Sequence, residues 1–211
     1  MRLYTYWRSS AAYRVRIALH WKGLPFETVS KHLGKGEQRD AGYLGVNPQG
    51  FVPALEDGGE VLGQSLAIVE YLDEIRPSPP LLPPDAIGRA RVRSMALSIA
   101  CDVHPLNNLR VLNYLKGPLA QPQEAVDAWY RHWVTEGFRG LESLAQRYGD
   151  GAHLYGSNVT LADVCLVPQL YNARRFDVDL APFPTLVAIG RTLEALPAFV
   201  AARPEAQPDA A

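Results

Sequence analysis

Very little in these 211 residues supports a covalent or metallic scaffold: there are two cysteines, Cys101 and Cys165, far apart in the chain. A disulfide framework needs paired cysteines and a structural zinc site needs closely spaced Cys or His ligands, so neither is the basis of the fold and no metal is expected. Each cysteine lies in an apolar stretch that reads as helix, and both are expected to be buried small hydrophobes. Excess charge of one sign is missing too, since 21 Lys and Arg oppose 22 Asp and Glu for a net charge of −1. That balance does not draw the chain to nucleic acid or to an anionic membrane, so an anion must be gripped locally. No apolar run reaches the ~18 residues of a membrane span, and Met1 to Trp7 is too polar and aromatic for a secretory leader. A cytoplasmic protein is the expectation.

What is present is 47% hydrophobic sequence, enough for one large core or two modest ones. Five prolines between Pro77 and Pro84 cannot continue a helix or lie in a central strand, so Arg76 to Pro84 reads as a linker. It divides the chain into an amino-terminal domain, 1–83, and a carboxy-terminal one, 84–211. Before it the pattern predicts a strand over 3–7, a helix over 11–22 stopped by Gly23-Leu24-Pro25, and a strand over 26–31. A glycine-rich loop follows, then strands over 52–57 and 60–62 around the hairpin signal Gly58-Gly59, and a helix opened by Gln64-Ser65. The order β-α-β, loop, β-β-α describes a small α/β domain. Beyond the linker the pattern predicts helices over 87–115, 123–147, 161–171 and 185–196, and so an all-helical bundle. Thr160 and Asp163 fit a capping box, and the tail from Arg203 reads as an extended end segment.

Three places in the first domain carry potential chemistry. Arg8-Ser9-Ser10 stands between the first strand and the first helix, where free amides and the positive helix end favour an anion. One serine is then either a plain N-cap or a hydroxyl donor to a thiolate, which would lower a thiol pKa. Val52-Pro53 precedes a strand; a trans edge proline is the ordinary arrangement, whereas a cis bond would turn backbone groups outward to pair with a bound peptide. Gln64-Ser65 repeats the anion logic, either as a cap or as a seat for an α-carboxylate and α-amine. Two helix starts and a proline turn together outline a site for a short anionic sulfur-containing peptide, and glutathione fits.

In the second domain His104, Asn107, Asn108 and Arg110 are expected near one helical face. Buried polar groups need partners, so they form either a hydrogen-bond network between helices or a polar wall beside a ligand. Arg174-Arg175 closes a helix, where cations are favoured by the dipole. Arg8, Arg110 and Arg175 come from three elements, and their planar forks suit carboxylates.

The runs Arg8–Leu19, Asn47–Leu55, Gln64–Ile68, His104–Asn108 and Asn172–Phe176 resemble the zeta class of glutathione transferases, from about Arg2 to Gln207 and in the same order. Within it the chain is most similar to the isomerases of maleylacetoacetate and maleylpyruvate. The resemblance implies a thioredoxin-like domain followed by a helical domain, usually in a homodimer. It implies that Ser9 and Ser10 stabilise a glutathione thiolate, that Gln49, Val52 and Pro53 hold the peptide backbone, and that Gln64 and Ser65 take its γ-glutamyl end. His104, Asn107 and Asn108 would border the second pocket, while Arg8, Arg110 and Arg175 would receive substrate carboxylates. The implied reaction is isomerisation of maleylacetoacetate to fumarylacetoacetate by thiolate addition, rotation and elimination. Alternatives are the same reaction on maleylpyruvate, a transferase or α-haloacid dehalogenase, and a non-catalytic glutathione-fold binding protein. In one departure Ala11 and Ala12 stand where the family commonly has Cys-Ser, so no protein thiol can assist there.

Overall fold

The computed structural model describes residues 1–210, which fall into two compact units, 1–81 with 195–210, and 82–194. In the first, β1 (Arg2–Thr5) runs parallel to β2 (Glu27–Ser30) and antiparallel to β3 (Ala54–Asp57), which pairs with β4 (Glu60–Gly63) in the order β2-β1-β3-β4. Gly58 and Gly59, with φ of 58° and 90°, make the tight β3–β4 turn that residues with a Cβ resist. Period-two alternation sends Tyr4, Tyr6 and Ala54 to one face, where they pack with Val52 and with Tyr43 of α2 (Ala41–Val46). Leu3 and Thr5 point the other way, toward α1 (Ser10–Trp21), which packs against α3 (Ser65–Ile75). The proline-rich segment is anchored by the buried Lys22, whose Nζ lies 2.5 Å from both Asp73 Oδ1 and the Pro79 carbonyl.

The helical unit contains α4 (Ala86–Leu97), a π-helical stretch (Ser98–Val103), α5 (Leu109–Lys116), α6 (Gln123–Tyr148), α7 (Leu161–Arg175) and α8 (Pro184–Glu194). Buried polar groups order it at helix starts. Glu142 of α6 accepts from the Thr185 and Leu186 amides at 2.9 Å, satisfying free donors in the first turn of α8. Asp163 accepts from the Leu154 amide at 2.8 Å, the Thr160 amide at 2.7 Å and the Thr160 hydroxyl at 2.8 Å, so the expected capping pair is present. At Gly137 a Cβ would come within 2.1 Å of Val103 Cγ2, so α6 approaches the π-helical stretch closely only because this side chain is missing.

Several expectations need correction. The helix expected over 87–115 is broken, because Pro105 has no amide hydrogen and the chain turns from His104 to Asn108 before α5. Cys101 is exposed; only Cys165 is buried. The strand expected from Val52 begins at Ala54, and the helix expected to stop at Tyr171 continues to Arg175. The last segment groups with the first unit: Phe199 and Ala202 of α9 (Pro197–Ala202) are buried and α9 packs on α1. Nor is the tail extended, since a short turn at Pro204–Ala206 leads to a buried Gln207, whose amide donates to the Ala201 and Arg203 carbonyls.

Candidate active site

The β1–α1 junction places Ser9 as N-cap of a 12-residue helix, with its Oγ accepting from the Ala12 amide at 3.2 Å. That bond uses an oxygen lone pair, so the hydroxyl proton remains available for donation and capping does not exclude a thiolate partner. The amide of Ser9 bonds the Tyr6 carbonyl at 3.0 Å, closing a turn that fixes the residue. Ser10, the first residue of α1, is buried, whereas Arg8 is exposed with its guanidinium 4.9 Å from the Trp7 ring centre. The positive end of the helix dipole, with a cation on the adjoining residue, therefore favours an anion at this junction.

A second anion seat lies at the start of α3. Gln64 has φ 66° and ψ 116°, a left-handed conformation that costs a residue with a Cβ of order 1–3 kcal/mol. Its side chain makes no cap bond; Nε2 donates instead to Gln49 Oε1 at 2.9 Å. Both glutamines are exposed, and Asn47 supports the loop by accepting from the Gln49 amide and donating to the Phe51 carbonyl. Behind this start, the Ser65 hydroxyl accepts from Nη1 of the fully buried Arg14 at 3.3 Å. A helix amino terminus whose first hydroxyl is held in this way suits a carboxylate. Between the two seats the Val52–Pro53 bond is cis, the less common of the two arrangements open to the sequence, and Val52 is buried.

In the helical unit the expected polar face is not one face. Asn108 caps α5, its Oδ1 accepting from the Arg110 amide at 3.1 Å. Asn107 is buried and donates to the Tyr130 carbonyl at 3.3 Å, while its Oδ1 has no partner among the described residues. His104 lies half-buried in the preceding turn and Arg110 is exposed in the first turn of α5. Arg175 ends α7, its guanidinium 4.6 Å from the Phe176 ring centre, and that ring stacks on buried Tyr130 at 3.6 Å. Burial pushes the Tyr130 hydroxyl pKa upward, against the pull of the Arg175 charge. The neighbouring Arg174 pairs with Glu194 at 2.5 Å.

Residues 1–74 match the glutathione S-transferase N-terminal domain, and 127–201 match the C-terminal domain. The chain is 52% identical to a probable maleylacetoacetate isomerase of Vibrio cholerae, over 99% of this chain and 97% of that one. This chain belongs to the glutathione S-transferase family. Among solved structures, the holo form of a maleylpyruvate isomerase, described as a bacterial glutathione S-transferase of the zeta class, superposes with TM-score 0.98 at 46% identity, covering all of both chains. A maleylacetoacetate isomerase of Methylobacterium extorquens AM1, solved with bound malonate and GSH, superposes with TM-score 0.96 at 41% identity over all of both chains.

Two buried arginines escaped the sequence reading. Charged side chains are normally absent from a protein interior, yet Arg14 and Arg16 are 1% and 0% exposed. Arg16 bonds the carbonyls of Tyr6, Trp7 and Ala202 and the Thr5 hydroxyl. Burial lowers its pKa to about 10, partly countered by Tyr13 and Asp209. The available signal was Tyr13-Arg14-Val15-Arg16-Ile17 itself, an apolar run twice interrupted by the residue type best able to bond several acceptors at once.

Proposed function

We propose that the protein is a glutathione-dependent cis-trans isomerase that converts maleylacetoacetate to fumarylacetoacetate, as a cytoplasmic homodimer. The observation that carries this reading is the pair of anion seats in the thioredoxin-like unit, one at Ser9 and one at Gln64-Ser65 above the buried Arg14. Glutathione fits that donor set: Gln64, Ser65 and the α3 amides suit its γ-glutamyl carboxylate, the Val52–Pro53 segment and Gln49 its backbone, and Ser9 its sulfur. When bound, glutathione supplies a thiolate for reversible addition to a conjugated double bond, and it is not consumed.

The chain's own groups do the rest. Ser9, with Ser10 and the first amides of α1, favours the ionised sulfur by hydrogen bonding and by the helix dipole. Arg8, Arg110 and Arg175 are the cations for the substrate carboxylates and for charge that develops on a substrate carbonyl oxygen. A donor already aimed at such an oxygen contributes roughly 2.7–4 kcal/mol. His104, Asn107 and Asn108 border the second pocket, with Asn107 held by its bond to the Tyr130 carbonyl and Asn108 by its cap bond from the Arg110 amide.

The deciding experiment supplies maleylacetoacetate with substoichiometric glutathione and follows the trans product. Full conversion with glutathione recovered supports the isomerase, and stoichiometric glutathione loss replaces it with a transferase or dehalogenase. The whole-chain likeness to a maleylpyruvate isomerase favours a second reading, the same chemistry on the shorter diketo acid, so maleylpyruvate is assayed in parallel.

A further inference from the structure

The peptide unit around Trp7 is held from both sides. Its carbonyl accepts from Arg16 Nη2 at 2.9 Å, and its amide donates to Asp209 Oδ2 at 3.1 Å. Arg16 Nη1 also reaches the Tyr6 carbonyl at 3.3 Å, the atom that accepts from the Ser9 amide. Asp209 comes from the end of the chain and is fastened by the Ser30 hydroxyl at 2.5 Å, while Arg16 Nε bonds the Ala202 carbonyl at 3.0 Å. Trp7 in turn carries Arg8 against its ring. Thus two groups that present the reactive end, Ser9 and Arg8, rest on a loop clamped between a buried arginine and the carboxy-terminal segment.

We propose that this segment is part of the catalytic scaffold, with Asp209 and Arg16 acting as positioning residues for Ser9 and Arg8. The proposal rests on the thiolate-stabilising role assigned above to Ser9. A hydroxyl donor loses its effect when displaced by a fraction of an ångström, and preorganisation of this kind requires supports that do not themselves touch the ligand. Removing the Asp209 carboxylate frees one side of the Trp7 peptide and leaves the amide seats at Gln64-Ser65 untouched. The sulfur should therefore lose its partner while the peptide stays bound.

Asp209→Ala is the test, with Asp209→Asn as the conservative variant because both accepted bonds go to a single oxygen that an amide retains. The full-length protein is saturated with glutathione and the bound thiol is titrated through its ultraviolet thiolate absorbance, with calorimetric affinity and thermal unfolding measured alongside. In Asp209→Ala the thiol pKa should rise by about one unit, equivalent to about a tenfold loss in kcat/KM at fixed pH. Glutathione affinity should change by less than about threefold, a gap of under about 0.7 kcal/mol. Asp209→Asn should return the titration most of the way to wild type; a purely structural tether for the tail predicts lost stability in Asp209→Ala with the titration unmoved. If Ser9→Ala shifts the titration and Asp209→Ala does not, the positioning role is overturned and the role of Ser9 stands. If Ser9→Ala also leaves it unmoved, the assignment of Ser9 fails and the proposal falls with it. Should Asp209→Ala fold poorly, Ser30→Ala loosens the same carboxylate from the surface, and an unshifted thiol in that variant overturns the proposal.

Discussion

Gln64 Nε2 donates to Gln49 Oε1 across 2.9 Å, joining the loop before the cis proline to the start of α3 through two exposed side chains. A hydrogen bond this open to solvent contributes little to folding. Its value is in holding two amides ready for a ligand, at a residue whose backbone is strained.

That strain separates two substitutions at Gln64. Alanine keeps the Cβ in the left-handed region and loses the amide, whereas glycine loses both. Gln64→Gly should be more stable than Gln64→Ala by about 1 kcal/mol in urea unfolding. Both should lose glutathione affinity by roughly tenfold, as expected for one or two missing hydrogen bonds. Equal stabilities would mean that the strain is relieved elsewhere.

Ser9 combines a cap with a proposed thiolate donor, and the two roles respond differently to substitution. As an N-cap, serine replaced by alanine costs about 1 kcal/mol, but replaced by glycine only a few tenths. As a donor, its loss is the same in either case. Thermal unfolding should therefore distinguish Ser9→Ala from Ser9→Gly, while turnover falls sharply and equally in both. Turnover that tracks stability instead would assign Ser9 to capping alone.

Arg175 packs its guanidinium on Phe176, and the stack continues to Tyr130. Removing the guanidinium should raise KM for the diacid by about tenfold or more, the loss expected for a charged hydrogen bond of roughly 1.5–3 kcal/mol. Glutathione affinity measured by calorimetry should not change. Arg175→Lys should recover only part of the loss, since lysine carries charge but no planar fork. If glutathione binding weakens and KM does not, this arginine belongs to the cofactor rather than the substrate.

How much of this was legible beforehand depends on the range of the forces involved. Strands, hairpin and helix starts of the first unit follow from local rules: period-two alternation, paired glycines at positive φ, and serines at helix ends. The capping pair Thr160 and Asp163 was readable for the same reason. By contrast, Arg14 and Arg16 are buried because acceptors from distant parts of the chain converge on them, among them Ser65 and Ala202. No local window contains that information. The break at Pro105 was readable in principle, but the apolar pattern on either side hid it; the return of the tail to Trp7 and Ser30 was not. Of the candidate site, the anion seats were visible as motifs, and the Gln49–Gln64 bond and the buried cation behind Ser65 only as coordinates.

Asp163 offers a test in which sign decides between two electrostatic effects. Burial raises its carboxyl to about 6, outweighing the lowering effect of the bonds from Leu154 and Thr160 and of the His153 charge. Because the unfolded value is about 3.9, the native state then holds this proton more tightly than the unfolded chain. The stabilisation from that proton is complete below about pH 4 and is lost as pH rises through about 6, a change on the order of 3 kcal/mol. Asp163→Asn has no titrating group there and sets an amide N–H against one of the donors, so at pH 4, where the wild-type proton is fully held, it should be less stable than wild type by about 1–3 kcal/mol. Urea unfolding of both proteins at intervals from pH 4 to 7 isolates the term, since other acids titrate alike in each. The difference between wild type and variant should shrink as pH rises to about 6 and then level off. A difference that grows over the same interval would show that three donors outweigh burial and that the ionised carboxylate is the form the helical unit is built around.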